Sequence, residues 1–172
     1  MNKPEGGAID PSQVTFRYDV RPGDPDFISR IVEATQFFSK DEIGVARELA
    51  DEYLAKGEKS GYNFVFAEID GVPAGYACFG PIPCTEHSFD LYWIAVAPEF
   101  QGAGLGRILI EKSEQKIREL GGARVYIETS SRLQYAPTRA FYDRCNYDRA
   151  TVLEDFYAPG DGKVIFVKRI GN

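Results

Sequence analysis

Two apolar segments joined by only two residues set the first constraint on the fold of this chain. Residues 62–69 and 72–79 both have the composition of strands, and Asp70-Gly71 between them tolerates the positive φ angles of a tight turn. Strands joined in this way pair antiparallel. Residues 88–97 follow as a third, strongly apolar strand. The middle of the chain therefore predicts an antiparallel first half of a sheet.

The remaining elements are predicted from the same periodicities. Before the hairpin they are a strand at 14–20, a helix around 27–35 and a helix from a Ser39–Glu42 capping box to about Lys56. After the third strand they are a helix at 105–120, a strand at 124–128, a helix at 137–144 and strands near 150–155 and 163–169. The sequence predicts one mixed α/β (α+β) domain over residues 14–172, with a β-α-β second half and a loose lead-in at 1–13.

Length and composition suit a single globular core. The chain has 172 residues, of which 44% are hydrophobic and 27% are charged. The sequence contains no run of about 18 apolar residues, the length that a helix needs to span a bilayer. Residues 1–7 lack the apolar centre of a secretion signal. We expect a soluble, cytoplasmic protein without a membrane partner.

Charge and the scarce metal-binding residue types exclude several classes of function. The 20 Lys and Arg against 26 Asp and Glu give a net charge of −6, which leaves no general footprint for nucleic acid. Cys78, Cys84 and Cys145 form an odd set without C-x-x-C spacing, which argues against a disulfide framework. Structural zinc, or catalysis by a Ser-His-Asp or Cys-His group, would depend on His87, the only histidine. We therefore expect no metal.

A glycine-rich turn joins the third apolar strand directly to a helix. Its sequence is Gln101-Gly102-Ala103-Gly104-Leu105-Gly106-Arg107. Uncovered backbone N–H groups and the positive end of a helix dipole together favour an anion such as phosphate or pyrophosphate. The alternative is that the glycines only permit a tight turn.

The spacing of the glycines discriminates between the known classes of phosphate-binding motif. Arg107 stands where a dinucleotide-binding G-x-G-x-x-G motif has its third glycine, although Glu128 lies roughly where the ribose-binding acid of that motif would be. No Gly-Lys-Ser/Thr follows, which excludes a P-loop. A dinucleotide-binding oxidoreductase remains a remote alternative.

Two segments resemble the GNAT N-acetyltransferases. Residues 94–107, Ile-Ala-Val-Ala-Pro-Glu-Phe followed by the glycine-rich turn, look like the acyl-CoA site of that family, in which Q/R-x-x-G-x-G/A follows a strand ending in Val-x-Pro. Residues 139–147 are similar to its A-R-x-F-Y-x-x-x-G-F segment. The resemblance covers about residues 62–170. It implies a mostly antiparallel sheet of about six to seven strands, about four helices and a splayed pair of parallel strands at the CoA site.

The resemblance also implies roles for individual residues. The backbone of Ile94, Ala95 and Val96 would contact the pantetheine arm of acetyl-CoA, and residues 101–107 would hold its pyrophosphate. Tyr142 matches the tyrosine that protonates the departing thiolate; the alternative is a core aromatic residue on an amphipathic helix. Tyr135 stands where many members have a CoA-binding asparagine, and Asn146 replaces the glycine after the helix but tolerates the same left-handed conformation.

Transfer to an amine also needs a proton acceptor. A lysine-like amine with a pKa near 10.4 requires about 4.6 kcal/mol for deprotonation at pH 7, whereas a free α-amine requires only about 1 to 1.4 kcal/mol. Asp90 lies eleven residues before Gln101, where some members resembling histone acetyltransferases carry their general base. It is the first candidate; the alternative is a solvated or salt-bridged strand carboxylate. Glu86 and His87 are candidates to relay the proton through water.

The acceptor is an amine whose identity the sequence leaves open. Residues 155–162 are predicted to form a turn-rich loop that resembles the tyrosine-containing acceptor loop of several members, or else an ordinary hairpin connection. Asp155, Tyr157 and Glu86 would favour a cationic amine.

The sequence therefore predicts an acetyl-CoA-dependent N-acetyltransferase that acts by direct attack of a primary amine, on a small molecule or on a protein N-terminus or lysine. The alternative is a catalytically silent acyl-CoA-binding sensor. Exposed strand edges at the C-terminal end are compatible with a homodimer.

Overall fold

The computed structural model of the chain describes residues 13–171. The strands are β1 (Val14–Arg17), β2 (Asn63–Ile69), β3 (Val72–Pro81), β4 (Ser88–Val96), β5 (Arg124–Ser130), β6 (Asp148–Ala158) and β7 (Asp161–Arg169). The helices are α1 (Asp24–Ala34), α2 (Lys40–Lys56), α3 (Leu105–Glu119) and α4 (Ala136–Arg144). The predicted lead-in at 1–13 lies outside the described residues except for Gln13.

The strands form one seven-stranded sheet in the order β1-β2-β3-β4-β5-β7-β6. The pairs β1–β2, β2–β3, β5–β7 and β6–β7 are antiparallel, whereas β4 and β5 pair parallel through Ser88–Arg124, Phe89–Val125 and Asp90–Tyr126. Seven strands and four α-helices between residues 13 and 171 confirm the predicted fold class. A splay beyond the parallel pairs stays a prediction, as does the single domain over 14–172.

The described residues group into two compact units. Of the described residues, the first unit holds 13–79 together with Trp93–Ser113, and the second holds Gly80–Tyr92 together with 114–171. In the first unit the β2–β3 turn has the predicted geometry, with φ of 52° at Asp70 and 76° at Gly71. Two consecutive positive φ angles match the twist of an antiparallel pair, which confirms the hairpin.

The core of the first unit lies between its strands and the helices α1 and α2. Its largest members are aromatic, and Phe66 stacks between Phe64 and Tyr76 with ring centroids 5.9 and 6.1 Å apart. Helix α2 begins with the predicted capping box: Glu42 N donates to Ser39 Oγ at 3.3 Å, and Ser39 N donates to Glu42 Oε2 at 2.8 Å. This box satisfies two of the N–H groups that open a helix.

A buried ion network lies beside this core. The Arg17 side chain donates to Glu68 Oε1 at 2.7 Å and to both carboxylate oxygens of Asp24, at 2.8 and 2.9 Å. All three residues are less than 9% exposed, and the guanidinium lies 4.3 Å from the centroid of the Phe66 ring. Strand β1 ends at Arg17, shorter than the predicted 14–20, and Asp24 opens α1 while accepting a hydrogen bond from Arg21 N. The network thus connects β1, α1 and β2.

In the second unit, α4 packs against β7. The ring of Tyr142 on α4 lies 5.4 Å from that of Phe166 on β7 and 6.3 Å from that of Tyr147. Glu114 is buried near Tyr147 and accepts hydrogen bonds from the Tyr147 hydroxyl at 3.1 Å and from Lys168 Nζ at 2.8 and 3.0 Å. The predicted left-handed residue after α4 is confirmed, since Asn146 has φ of 64°.

The three cysteines are present as thiols and differ in exposure. Cys78 is buried in the first unit and Cys145 in the second, whereas Cys84 is exposed. Burial raises the pKa of the Cys78 thiol. No helix between residues 13 and 171 has the length and apolar composition needed to cross a membrane.

Candidate functional site

The glycine-rich turn lies in the first unit, between β4 and α3. Gln101 Nε2 donates to Val96 O at 3.0 Å and so ties the start of the turn to the end of the strand. Gly102 and Gly104 have φ of 80° and 87°, and a Cβ at either would meet no atom within 4 Å. Backbone conformation, not crowding, therefore favours glycine at both positions.

The turn presents backbone donors at the start of a long helix. Within the described part of the chain, no backbone carbonyl accepts a hydrogen bond from the N–H groups of residues 102–106. Arg107 N and Ile108 N donate to Gly104 O at 3.1 and 3.3 Å. The Arg107 side chain is exposed and pairs with Glu111 at 3.1 Å. Unpaired N–H groups at the N-terminus of a 15-residue helix provide the donors that an anion needs.

The strand that leads into the turn is held close to its neighbour. Ala95 is buried, whereas Ile94 and Val96 are partly exposed. A Cβ at Gly75 on β3 would lie 3.0 Å from Ala95 O and 3.1 Å from Leu109 Cδ1. Gly75 thus lets β4 and α3 approach the backbone of β3.

Asp90 lies in the second unit, on the part of β4 that pairs with β5. Its carboxyl is half-buried, and burial, with a further contribution from the negative charge of Glu128, raises its pKa to about 6; the positive charge of Lys163 opposes this rise. A carboxyl that titrates near pH 6 is ionised at neutral pH and accepts protons more readily than an ordinary aspartate. This environment suits the predicted general base.

Sequence reasoning missed Lys163 and Phe156, and it did not connect Glu128 with Asp90. Lys163 Nζ lies 2.5 Å from Glu128 Oε2, 3.8 Å from the centroid of the Phe156 ring and 5.8 Å from that of Tyr157. The Lys163 side chain is only 13% exposed. We refer to Lys163, Glu128, Phe156 and Tyr157 as the Lys163 cluster. Strand register brings Glu128 to Lys163, because β5 pairs with β7 so that Glu128 lies opposite Ile165 and Ser130 opposite Lys163. Glu128 and Lys163 are therefore diagonal neighbours on adjacent strands.

The loop predicted at 155–162 is instead a bulged hairpin. Strand β6 continues to Ala158, and the turn is Pro159-Gly160 with φ of 79° at the glycine. Leu153 pairs with Lys163 and Ala158 with Asp161, so four residues of β6 stand against Gly162 alone. A short turn suffices because the bulge takes up the surplus residues.

The bulge determines where the predicted acceptor residues lie. Asp155 has φ of 52°, and its Oδ1 accepts a hydrogen bond from Gly160 N at 2.6 Å. Tyr157 is half-exposed and its ring packs edge-on against Phe156, with centroids 5.0 Å apart. Tyr157 therefore belongs to the Lys163 cluster, whereas one carboxylate oxygen of Asp155 stabilises the turn. Contact of either residue with an acceptor stays a prediction.

Glu86 lies in the segment between β3 and β4. Its side chain is 92% exposed and pairs with His87 Nε2 at 3.8 Å, while His87 Nδ1 lies 3.0 Å from Gly121 O. A proton relay through Glu86 and His87 to Asp90 stays a prediction.

Tyr142 is 6% exposed, and burial raises the pKa of its hydroxyl, with a smaller contribution from Cys145. The hydroxyl therefore keeps its proton through neutral and alkaline pH. Tyr135, which replaces the expected asparagine, is buried as well. Among residues 13–171, no group of three or more His, Cys, Asp or Glu side chains is placed to hold a metal ion.

Known proteins resemble this chain in sequence and in structure. The curated ribosomal protein bS18-alanine N-acetyltransferase of Escherichia coli K12 is 33% identical over 73 residues, 42% of this chain and 48% of that protein. The chain therefore matches about half the length of the curated relatives. A crystal structure from Desulfovibrio desulfuricans, assigned to the GNAT acetyltransferases, has a TM-score of 0.90 and 47% identity over 92% of this chain and 99% of its own.

More distant structures share the fold. The structure of yncA from Salmonella typhimurium, solved with acetyl-CoA, has a TM-score of 0.71 at 17% identity and covers 92% of this chain and 95% of its own. The family model described as acetyltransferase (GNAT) matches residues 30–147, more than half of the sequence. The chain belongs to the acetyltransferase (GNAT) family.

Proposed function

We propose that this protein transfers the acetyl group of acetyl-CoA to a primary amine by direct attack. The observation that carries the proposal is the turn at residues 101–107, where unpaired N–H groups meet the start of α3 in a member of the GNAT family. These donors fit the pyrophosphate of CoA. Bound acetyl-CoA would supply the activated thioester carbonyl.

The residues of the first unit would bind and orient the thioester. The N–H groups of residues 102–106 would donate to the pyrophosphate, and Arg107 would add a positive charge nearby. Gln101 would position the turn through its bond to Val96 O. Backbone groups of Ile94, Ala95 and Val96 would pair with the pantetheine amides, and a backbone N–H of this strand would polarise the carbonyl.

The residues of the second unit would move the protons. Asp90 accepts a proton from the acceptor ammonium and leaves a neutral amine that attacks the thioester carbonyl. The carbon–sulfur bond then breaks, Tyr142 donates its hydroxyl proton to the departing thiolate, and the new amide nitrogen releases its surplus proton to solvent. Before the next turnover the tyrosinate regains a proton from solvent, and Asp90 releases to solvent the proton that it took from the ammonium.

Isothermal titration with acetyl-CoA, with NADH in a matched cell, tests the site. Saturable binding of acetyl-CoA without binding of NADH is expected. Transfer across a panel of amines, including a peptide that begins with alanine because the E. coli relative is named for that residue, then distinguishes an enzyme from a silent sensor. Acetyl-CoA binding without transfer to any amine would favour the sensor. A cytoplasmic location and a homodimer stay predictions.

Replacing Gly104 with alanine should weaken acetyl-CoA binding about tenfold. A side chain at φ of 87° costs about 1 to 2 kcal/mol, and relaxation of the turn would move the donor N–H groups. Gly44→Ala is the matched control, because Gly44 lies within α2 with no atom within 4 Å of an added Cβ. An unchanged dissociation constant in Gly104→Ala would remove the turn from the binding site.

Replacing Asp90 with asparagine should abolish the rise of kcat/KM with pH through about pH 6. In the wild type the base is ionised only above its pKa of about 6, so the rate rises across that value. The variant should lose about 100-fold at pH 7.5, a typical contribution of general-base catalysis. Acceptor amines of different pKa provide the control. The part of the pH–rate profile due to Asp90 should stay near pH 6 with every amine, whereas the part due to the amine should shift with the pKa of the amine.

The same substitution should stabilise the fold at neutral pH. The folded-state pKa of Asp90 lies above its ordinary value of 3.8, so the buried carboxylate costs stability above about pH 6 and the cost disappears as the pH falls below 4. Asp90→Asn should therefore melt at a higher temperature at pH 7.5 and at a similar temperature at pH 3.5. A drop in melting temperature at pH 7.5 would show that Asp90 is a structural carboxylate.

A further inference from the structure

The Lys163 cluster has the composition of a binding site for an ammonium group. A carboxylate and two aromatic rings surround Lys163 Nζ, with Glu128 Oε2 at 2.5 Å and the Phe156 ring centroid at 3.8 Å. A carboxylate attracts a cation directly, and the face of an aromatic ring adds to that attraction. In this protein the place is filled by an ammonium of the chain itself.

The position of the cluster makes this occupancy relevant to catalysis. Asp90, the proposed base, pairs with Tyr126 on β5, two residues before Glu128, and the charges of Glu128 and Lys163 both act on its carboxyl. Asp90 and Glu128 contribute two negative charges, and Lys163 balances one of them. One negative charge is left for an acceptor, which matches an amine that carries a single ammonium group.

We propose that Lys163 is a specificity-determining residue: its ammonium occupies the Glu128–Phe156–Tyr157 box and so disfavours acceptors that carry a second ammonium group near the amine to be acetylated. The inference rests on the proposed transferase function. It narrows the acceptor class to amines without a neighbouring positive charge, whereas the acidic composition alone favours cationic acceptors. A diamine would meet Lys163 as a like charge close to the base, with Glu128 already paired.

Direct binding of n-butylammonium tests the box without any turnover. This ion has the same four carbons and ammonium group as the lysine side chain. Lys163→Ala should bind n-butylammonium measurably in a calorimeter, and the wild type should not. Two controls follow: Lys163→Met keeps the volume filled and should bind nothing, and Lys163→Ala combined with Glu128→Gln should lose at least tenfold in affinity.

Acetylation of two matched amines tests the selectivity. The acceptors 1,5-diaminopentane and n-pentylamine differ only in the second amino group. Relative to n-pentylamine, kcat/KM for the diamine should rise at least tenfold from wild type to Lys163→Ala. The ratio of the two values cancels any general loss of activity or folded protein in the variant.

The two arms separate the failure of the inference from the failure of the proposed function. If the ratio of kcat/KM for the diamine to that for n-pentylamine is the same in wild type and Lys163→Ala, Lys163 has no selectivity role. The inference is also overturned if adding Glu128→Gln to Lys163→Ala leaves the affinity for n-butylammonium unchanged. Absence of transfer by both proteins, to these two amines and to every member of the amine panel, would overturn the transferase and its selectivity together. The calorimetric arm would still decide whether the box accepts an ammonium group.

Discussion

Replacing Tyr142 with phenylalanine is expected to lower kcat about 100-fold or more, with an unchanged dissociation constant for acetyl-CoA. The hydroxyl is the proposed donor of the proton that the thiolate takes up, and general acids contribute factors of about 10² to 10⁴ to enzyme rates. Phenylalanine keeps the ring that packs on Phe166 and Tyr147. The loss should therefore appear in turnover, measured with saturating acetyl-CoA, and not in binding.

Tyr147→Phe is the matched control for this experiment. Tyr147 is another buried tyrosine of the second unit, and its hydroxyl donates to Glu114 at 3.1 Å. Its removal should cost about 1.5 to 3 kcal/mol of stability, the usual value of a hydrogen bond to a charged group, with kcat within about twofold of wild type. Equal turnover in Tyr142→Phe and the wild type would make Tyr142 a core aromatic residue only. Equal losses in both variants would assign the effect to packing.

Replacing Arg17 with methionine should lower the free energy of unfolding by about 3 to 5 kcal/mol. The substitution leaves the carboxylates of Asp24 and Glu68 buried without their shared cation, and such charges are costly away from water. A loss of this size is a large fraction of the roughly 5 to 15 kcal/mol that stabilises an ordinary domain. Urea unfolding at pH 7.5 measures it as a lower midpoint.

Arg21→Met provides the comparison within the same network. The Arg21 side chain is 57% exposed and lies 3.6 Å from Glu68 Oε1, so its removal should cost less than about 1 kcal/mol. Arg17→Lys keeps the positive charge but loses the planar guanidinium that reaches both carboxylates. Its loss of unfolding free energy should lie between the losses of Arg17→Met and Arg21→Met. A cost below 1 kcal/mol for Arg17→Met would show that water reaches the carboxylates when the guanidinium is removed.

The features that the sequence predicts well are those determined by neighbours along the chain. The Asp70-Gly71 turn needs two residues that tolerate positive φ, and the capping box needs Ser39 and Glu42 three positions apart. The glycine-rich turn is predicted for the same reason, because strand, glycines and helix follow one another directly. Each of these features is complete within a few residues.

The features that the sequence does not predict depend on register between distant segments. Arg17 and Glu68 are 51 residues apart, and Lys163 reaches Glu128 only because β7 pairs with β5. The extension of β6 to Ala158 depends on a bulge opposite Gly162. The bulge interrupts the alternation of apolar and polar residues by which a strand is recognised in a sequence. Asp90 was identified from its position in a motif, but its raised pKa comes from burial and from Glu128, which spacing alone does not bring to it.

The distribution of the three cysteines provides each compact unit with its own chemical reporter. Cys84 is exposed and should react with a thiol reagent in the native protein, whereas Cys78 and Cys145 are buried in different units. In a Cys84→Ser background, the rate at which each remaining thiol becomes reactive in low denaturant measures how often its own unit opens. Two equal rates would mean that the units unfold as one body. Unequal rates would identify which half of the protein opens first, without any added label.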